Sequence, residues 1–472
     1  MADTFYFYDL ETSGVNPRGD RIMQFAGQRT DLDLNLISEP DNILITLTDD
    51  ILPSPDAIMI TGITPQQTKA DGMTEVEFLK IFHDSIAVPG TIFVGFNSVR
   101  FDDEFVRYLQ YRNYYDAYEW QWKDGRGRWD ILDVVRMTRA LRPEDIKWPF
   151  DAEGKSTNRL ELLTSVNNLA HANAHDALSD VLATIDVAKL LKDKQPKLFN
   201  YLLDMKDKKA VEALAKSGQP FVYSSGKYSG KFEKTTVVCT IADHPKVAAA
   251  LVYDLRLDPE PFLKMTPEQL VEAWKYKKDA TDPRLPVKTL RYNRCPAVAP
   301  LGVLDEDSQK RLDLHLDTIE ANRKKVLAAH DFIQNIYKAL EILDKQQQTR
   351  LLSGTADVDA QLYDSFFSDQ DRTEMEKVRG AASDNLKAAN FNFQDDRLKQ
   401  LFVLYKARNF PKKLSDEERA EWEAFREQRL QKQLPGYMQR LNELSTTKLT
   451  QNKQYLLEEL KLYAESIMPL PD

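Results

Sequence analysis

Cysteine is scarce: the 472-residue chain holds two, Cys239 and Cys295. Two isolated thiols without paired spacing argue against a disulfide framework and against a structural zinc site. Long apolar runs are missing as well. No stretch is continuous enough to cross a bilayer, and no charged-then-apolar signal segment precedes the first strand pattern. A cytoplasmic protein that engages no membrane is therefore expected. Positive charge is also in deficit, with a formal net charge of -10, which looks wrong for a protein that handles polyanions. The distribution qualifies that total. Residues 1–200 carry 21 Lys and Arg against 32 Asp and Glu, so the first part holds -11 and the remainder +1. Net acidity does not forbid polyanion binding where cations cluster. One such cluster lies in residues 123–142, with Lys123, Arg126, Arg128, Arg136, Arg139 and Arg142 against Asp124, Asp130 and Asp133.

What is present suffices for globular folding, with 42% hydrophobic and 10% aromatic residues. The length exceeds what one core organises and points to two or three domains. The most informative stretch is residues 4–12, an aromatic run that ends in Asp9-Leu10-Glu11-Thr12. In a strand, residues i and i+2 share a face, so Asp9 and Glu11 point the same way. Paired carboxylates at the end of an apolar strand repel each other and resist desolvation, and a divalent cation between them reverses the balance.

Along the chain, residues 21–30 and 42–47 read as further strands beside the first. A helical pattern covers 75–88, and residues 91–97 form the short apolar run of a buried strand. Helices are expected over 101–113, 129–141, 159–169 and 176–194. Strands followed by alternating strands and helices predict an α/β fold with a sheet of mixed direction. Beyond about residue 219, short β runs at 220–223, 235–241, 249–255 and 287–292 suggest a small β-rich domain capped by helices over 308–328 and 330–344. From about residue 355 the pattern is helical to the end, with breaks expected at Pro411 and Pro435. The domain division read from these shifts is 1–200, 201–350 and 355–472.

Further acids stand at element junctions. Asp102 follows the buried strand at the start of a helix, where it reads equally as an N-cap, and Asn97 stands at the strand end, where α/β sheets bind ligands. The segment Asn173-Ala174-His175-Asp176-Ala177-Leu178-Ser179-Asp180 leads into another helix, with Asp176 placed to cap it. The ordered series Asp9-x-Glu11, Asn97-x4-Asp102 and His175-x4-Asp180 resembles the three exonuclease motifs of the DEDD superfamily, in its histidine branch. The segments Gln24-Phe25-Ala26-Gly27, Arg128-Trp129-Asp130-Ile131-Leu132-Asp133, Leu141-Arg142-Pro143-Glu144 and Val358-Asp359-Ala360-Gln361-Leu362-Tyr363 extend the likeness to the bacterial exodeoxyribonuclease I family over essentially the whole chain. Residues 243–305 match only loosely.

The resemblance implies a ribonuclease H-like exonuclease domain, an SH3-like β domain with flanking helices and a C-terminal all-α domain that together close a channel over single-stranded DNA. It implies processive 3′-to-5′ hydrolysis to 5′-mononucleotides by a monomer serving mismatch correction and recombination. Four carboxylates, Asp9, Glu11, Asp102 and Asp180, then hold two Mg²⁺ ions, with Mn²⁺ a substitute suited to the same hard donors. His175 is the expected general base. Substrate contacts are expected from Thr12, Asn97, Arg128, Trp129 and Arg159, because single-strand binders combine cations with aromatic faces. For Trp129 a core position is an equal reading. The family binds the acidic C-terminal tail of the single-stranded-DNA-binding protein, and Arg142 and Tyr201 match positions of that site. Asp305 stands where a cation is expected there. Two rivals stay open: a 3′-to-5′ exoribonuclease, since the motifs do not show how a 2′-hydroxyl is treated, and a non-catalytic nucleic-acid-binding scaffold.

Overall fold

The computed structural model describes residues 3–171, 176–275, 284–352, 357–381, 386 and 391–468. Alternation in the first strand sets the architecture. In β1 (Thr4–Thr12), Phe5 and Phe7 turn to one side of the sheet and Tyr6, Tyr8 and Leu10 to the other, each set entering a separate buried cluster. β1 pairs antiparallel with β2 (Ile22–Thr30), which pairs antiparallel with β3 (Asp41–Leu44). On its other edge β1 runs parallel to β4 (Thr91–Gly95), and β4 parallel to β5 (Gly127–Asp130). The mixed sheet therefore has the order β3-β2-β1-β4-β5. Helix Ala177–Lys194 packs across β1 and β2.

A second, wholly antiparallel sheet follows, with the order β10-β6-β7-β8-β9. Its strands are β6 (Phe221–Ser224), β7 (Thr235–Asp243), β8 (Ala249–Asp254), β9 (Val287–Arg291) and β10 (Ala297–Pro300). One continuous core joins the two sheets: Phe7 and Val94 of the first, and Val222, Val237 and Leu251 of the second, belong to the same buried cluster. The last part of the chain is helical, with Asp369–Gly380, Asp396–Asn409, Asp416–Ser445 and Gln451–Ile467. These helices fold back on the first part. Leu398, Leu401 and Trp422 bury against Tyr108, Tyr111 and Tyr114, while Leu430, Leu441 and Leu460 bury against Met23, Leu47 and Ile58.

A buried ionic network crosses the same junction. Asp359 accepts from Arg21 at 2.7 Å, Arg408 at 2.7 Å and Arg429 at 2.9 Å, and Asp50 accepts from Arg408 at 2.8 Å and Arg429 at 2.9 Å. The three guanidiniums hold both carboxyls well below the usual carboxylate range, against the opposing effect of burial.

Several expectations change. The helix expected from residue 129 begins at Ile131; residues 127–130 are strand β5, and Asp130 accepts from the Leu132 amide as the helix cap. The expected helix over 75–88 is a helix, Glu75–Ile81, continued by a π turn, Phe82–Ile86. That over 308–328 divides at Asp313, whose φ of 52° ends one helix before Leu316–Ala328 begins. Pro435 lies inside helix Asp416–Ser445, where a proline costs one backbone hydrogen bond and the burial of Leu430, Tyr437 and Leu441 outweighs it. Among the described residues, no helix is long and apolar enough to cross a membrane.

Candidate active site

Period two carries Asp9 and Glu11 to the face of Phe5 and Phe7, the face on which helix Ala177–Lys194 lies. That helix starts where Asp176 accepts from the Ser179 amide at 2.9 Å, which places Asp180 in its first turn. Asp9, Glu11 and Asp180 thereby offer carboxylate oxygens within 4.8 Å of one another. The β1–β4 pairing is parallel, so the segment leaving β4 arrives at the same end of the sheet. It carries Asp102, the buried first residue of helix Asp102–Arg112, with Phe101 rather than Asp102 in the cap position.

These acids feel one another. Burial first, and Asp180 second, raise the Asp9 carboxyl well above its ordinary value. Asp102 is raised likewise, by burial and then by Asp9. Burial, Asp9, Asp180 and Asp176 push Glu11 up to about 9. A cluster of hard oxygen donors that resists ionising on its own is a donor set that a divalent cation fits.

His175 lies outside the described residues. Another histidine, His171, does reach the cluster: its Nε2 lies 2.6 Å from Asp180 Oδ1, and its Nδ1 lies 3.1 Å from Thr164 Oγ1. The ring is thus held from both sides. The spacing His171-x3-His175 just before Asp176 in the sequence was the available signal for it.

The expected substrate residues separate. Arg128 is buried, paired with Asp103 and donating to the Asn293 carbonyl at 2.7 Å; Asp103 in turn accepts from the Tyr8 hydroxyl at 2.6 Å. Its guanidinium is engaged inside the fold, which corrects its reading as a phosphate contact. Trp129 is 2% exposed, stacked on Phe5 and edge-on to Phe199, with Nε1 donating to the Leu202 carbonyl. It is a core residue rather than a stacking platform. Thr12 is buried and its hydroxyl donates to the Gly14 carbonyl at 2.7 Å. Asn97 adopts the left-handed conformation, φ 72°, with its amide held by Asp130 at 2.9 Å. Arg159 stays at the surface, its side chain 66% exposed beside Glu161. Arg142 donates to Asp305 at 3.0 Å and to the Val303 carbonyl at 2.9 Å, so the acid standing in the expected cation's place engages it directly. Tyr201 is half-buried, its phenol pushed up to about 12 by that burial.

Cations that no single stretch of sequence displays converge on Lys227. Arg100, Arg284, Arg291 and Arg294 all lower the ammonium of Lys227, after burial. Arg294 bridges the second sheet to the first region, donating to the Val99 carbonyl at 2.7 Å and to Glu104 at 2.9 Å.

The architecture has well-characterised counterparts. Residues 6–188 match the Exonuclease family model, 206–341 the Exonuclease I SH3-like domain and 356–467 the Exonuclease I C-terminal domain. The chain is 39% identical over 475 residues to Exodeoxyribonuclease I of Escherichia coli (strain K12), covering 99% of each chain. It is 37% identical to that of Haemophilus influenzae, covering 98% of this chain and 99% of the relative. It superposes with a TM-score of 0.92 and 38% identity on E. coli Exonuclease I in complex with a dA16 oligonucleotide, covering 99% and 100% of the two chains. The zinc-bound form of the E. coli ExoI–ssDNA complex gives 0.92 at 37% identity, and a structure of SSB/Exonuclease I in complex with the inhibitor CFAM gives 0.90 at 36%, each again covering 99% and 100%. With a mixed-sheet exonuclease domain, an SH3-like domain and a helical C-terminal domain matched end to end, the chain belongs to the exodeoxyribonuclease I family and is an enzyme of that type.

Proposed function

We propose that this enzyme degrades single-stranded DNA from the 3′ end and releases 5′-mononucleotides. The observation that carries the chemistry is the convergence of Asp9, Glu11 and Asp180 within 4.8 Å, with Asp102 close enough for Asp9 to raise it. Asp9, central among the four, would hold two Mg²⁺ ions jointly with the others. Such a pair, once bound, activates the attacking water and neutralises charge on the leaving oxygen. His175 takes the proton from the attacking water. His171 keeps the Asp180 carboxylate turned toward the cluster from the Thr164 side.

The substrate path follows from charge and aromatic exposure. The cations around Lys227 lie beside the segment that delivers Asp102, where they draw the phosphates of the terminal nucleotides. Asn97 and Thr12 line the end of the sheet nearest the scissile bond, and Arg159 contributes a surface charge. Further away, Trp122 at 62% exposure and Phe366 at 84% line a cavity of about 270 Å³ with Tyr118 and Arg372, and offer faces on which bases stack. Arg142 and Tyr201 make the contact to the acidic tail of the single-stranded-DNA-binding protein, weakened here because Asp305 competes for Arg142. The enzyme works as a cytoplasmic monomer.

End-labelled single-stranded DNA, with duplex DNA and RNA as controls, tests the reading in Mg²⁺ and in EDTA, for the wild type and Asp9→Ala. Mononucleotides released from the 3′ end of single-stranded DNA, abolished by EDTA and by the substitution, support it. Equal rates on RNA replace the substrate. Intact binding without hydrolysis in any metal removes the catalytic reading.

A further inference from the structure

The ligands of the proposed ion pair stand on elements far apart in sequence, and one short stretch of the helical C-terminal region touches two of those elements. On one side Asp359, 0% exposed, accepts from Arg21 at 2.7 Å. Arg21 closes the loop that begins just past Glu11. The Ser13 amide donates to the Arg21 carbonyl at 2.8 Å, the Arg21 amide to Ser13 Oγ at 2.9 Å, and the guanidinium to the Gly19 carbonyl at 2.8 Å. On the other side the Tyr363 hydroxyl donates to Glu104, two residues after Asp102. Glu104 is also gripped by Arg107 at 2.5 Å and Arg294 at 2.9 Å. Between the two arms the Tyr111 hydroxyl donates to the Val358 carbonyl at 3.0 Å, tying the last turn of helix Asp102–Arg112 to the same stretch.

Resting on the nuclease reading above, we propose that residues 358–363 form a positioning clamp that holds the Glu11 end of β1 and the Asp102 end of its helix at the spacing an ion pair needs. Buried ion networks carry a desolvation cost that apolar packing avoids, so stability alone is a weak reason for one. Geometry is a better reason. Two ions about 3.5–4 Å apart tolerate little error in their ligands, on the order of 0.5 Å. The ligands meanwhile crowd one another, with carboxylate oxygens of Asp9, Glu11 and Asp180 within 4.8 Å, and like charges so close repel. Without a backing the two elements relax apart. Asp359, itself fixed by Arg408 and Arg429, supplies that backing from the far domain.

The test uses the full chain with Tyr363→Phe, which removes only the hydroxyl at a partly exposed position, and Asp359→Asn. Mn²⁺ binding is followed by the electron paramagnetic resonance of free ion, alongside steady-state hydrolysis of single-stranded DNA and thermal unfolding. Both variants are expected to bind Mn²⁺ about tenfold more weakly, the size of effect seen on loss of groups that orient metal ligands. The value of kcat falls, KM for DNA is unchanged, and added Mn²⁺ restores the Tyr363→Phe rate. Should Asp359→Asn not fold, Tyr363→Phe decides alone. Wild-type Mn²⁺ affinity and kcat with a lowered melting temperature overturn the clamp and leave a domain staple; a rise in KM alone overturns it in favour of a substrate contact. If wild type hydrolyses no nucleic acid while Tyr363→Phe still weakens Mn²⁺ binding, the nuclease reading falls and the clamp stands. If wild type degrades DNA and the variants match it in every measurement, the reverse holds.

Discussion

Loading the carboxylate cluster with a divalent ion should expel protons, and the amount can be worked from its electrostatics. With Glu11 pushed up to about 9 by burial, Asp9, Asp180 and Asp176, the ion-free cluster holds at least that proton at pH 7. Ionising it there costs about 2.7 kcal/mol, two pH units at 1.36 kcal/mol each. Ligands must be deprotonated to bind, so Mn²⁺ affinity should rise about tenfold per pH unit for each proton displaced, between the ordinary carboxylate range and about 9. Isothermal titration in buffers of different ionisation enthalpy counts the protons: about one or more at pH 7 for the wild type, one fewer for Glu11→Gln. The folded-state value is raised, so the ion-free fold takes up protons relative to the unfolded chain. Its stabilisation from this group is complete below the unfolded carboxylate value and is lost as pH rises through about 9. The ion-free protein should therefore melt at lower temperature near pH 9 than near pH 6, and Mn²⁺ should restore more at the higher pH. Affinity flat across this window, or heats independent of buffer, would mean that the cluster holds no proton for the ion to displace.

Other perturbations follow from single contacts. His171→Ala removes the buried imidazole 2.6 Å from Asp180 and should weaken Mn²⁺ binding about tenfold, with a lowered melting temperature from the cavity it leaves. Arg128→Ala strands the buried Asp103 carboxylate beside Tyr8; urea unfolding should show a loss of about 3–5 kcal/mol, whereas an unchanged midpoint with weakened DNA binding would return Arg128 to the substrate path. Lys227→Ala combined with Arg291→Ala should reduce the slope of log affinity against log salt by about 0.7 for each phosphate that these two cations neutralise, measured by fluorescence anisotropy with a single-stranded oligonucleotide.

Much of the site was legible because it rests on local periodicity. A period of two places Asp9 and Glu11 together, and a cap at Asp176 sets the phase that brings Asp180 inward. What escaped depends on partners distant in sequence. Arg128 reads as a free cation until Asp103 meets it from another element, 25 residues away. Trp129 reads as helical because Asp130 ends strand β5 and caps the next helix at once, leaving no loop to mark the change. The cations around Lys227 come from separate elements of both sheet regions. Pro435 looked like a stop because its cost is local, while the burial that overrides it is tertiary.

The ionic network joining Arg21 to Asp359, Arg408 and Arg429 also sets a timetable for synthesis. At about 5–20 residues per second, roughly 17–70 s separate the emergence of residue 21 from that of residue 359. Throughout that interval the Arg21 guanidinium has no buried carboxylate from the last domain to meet, and the loop after Glu11 lacks its anchor. A nascent chain still on the ribosome thus carries the whole acidic cluster before the contacts that join its loop to the last helices exist.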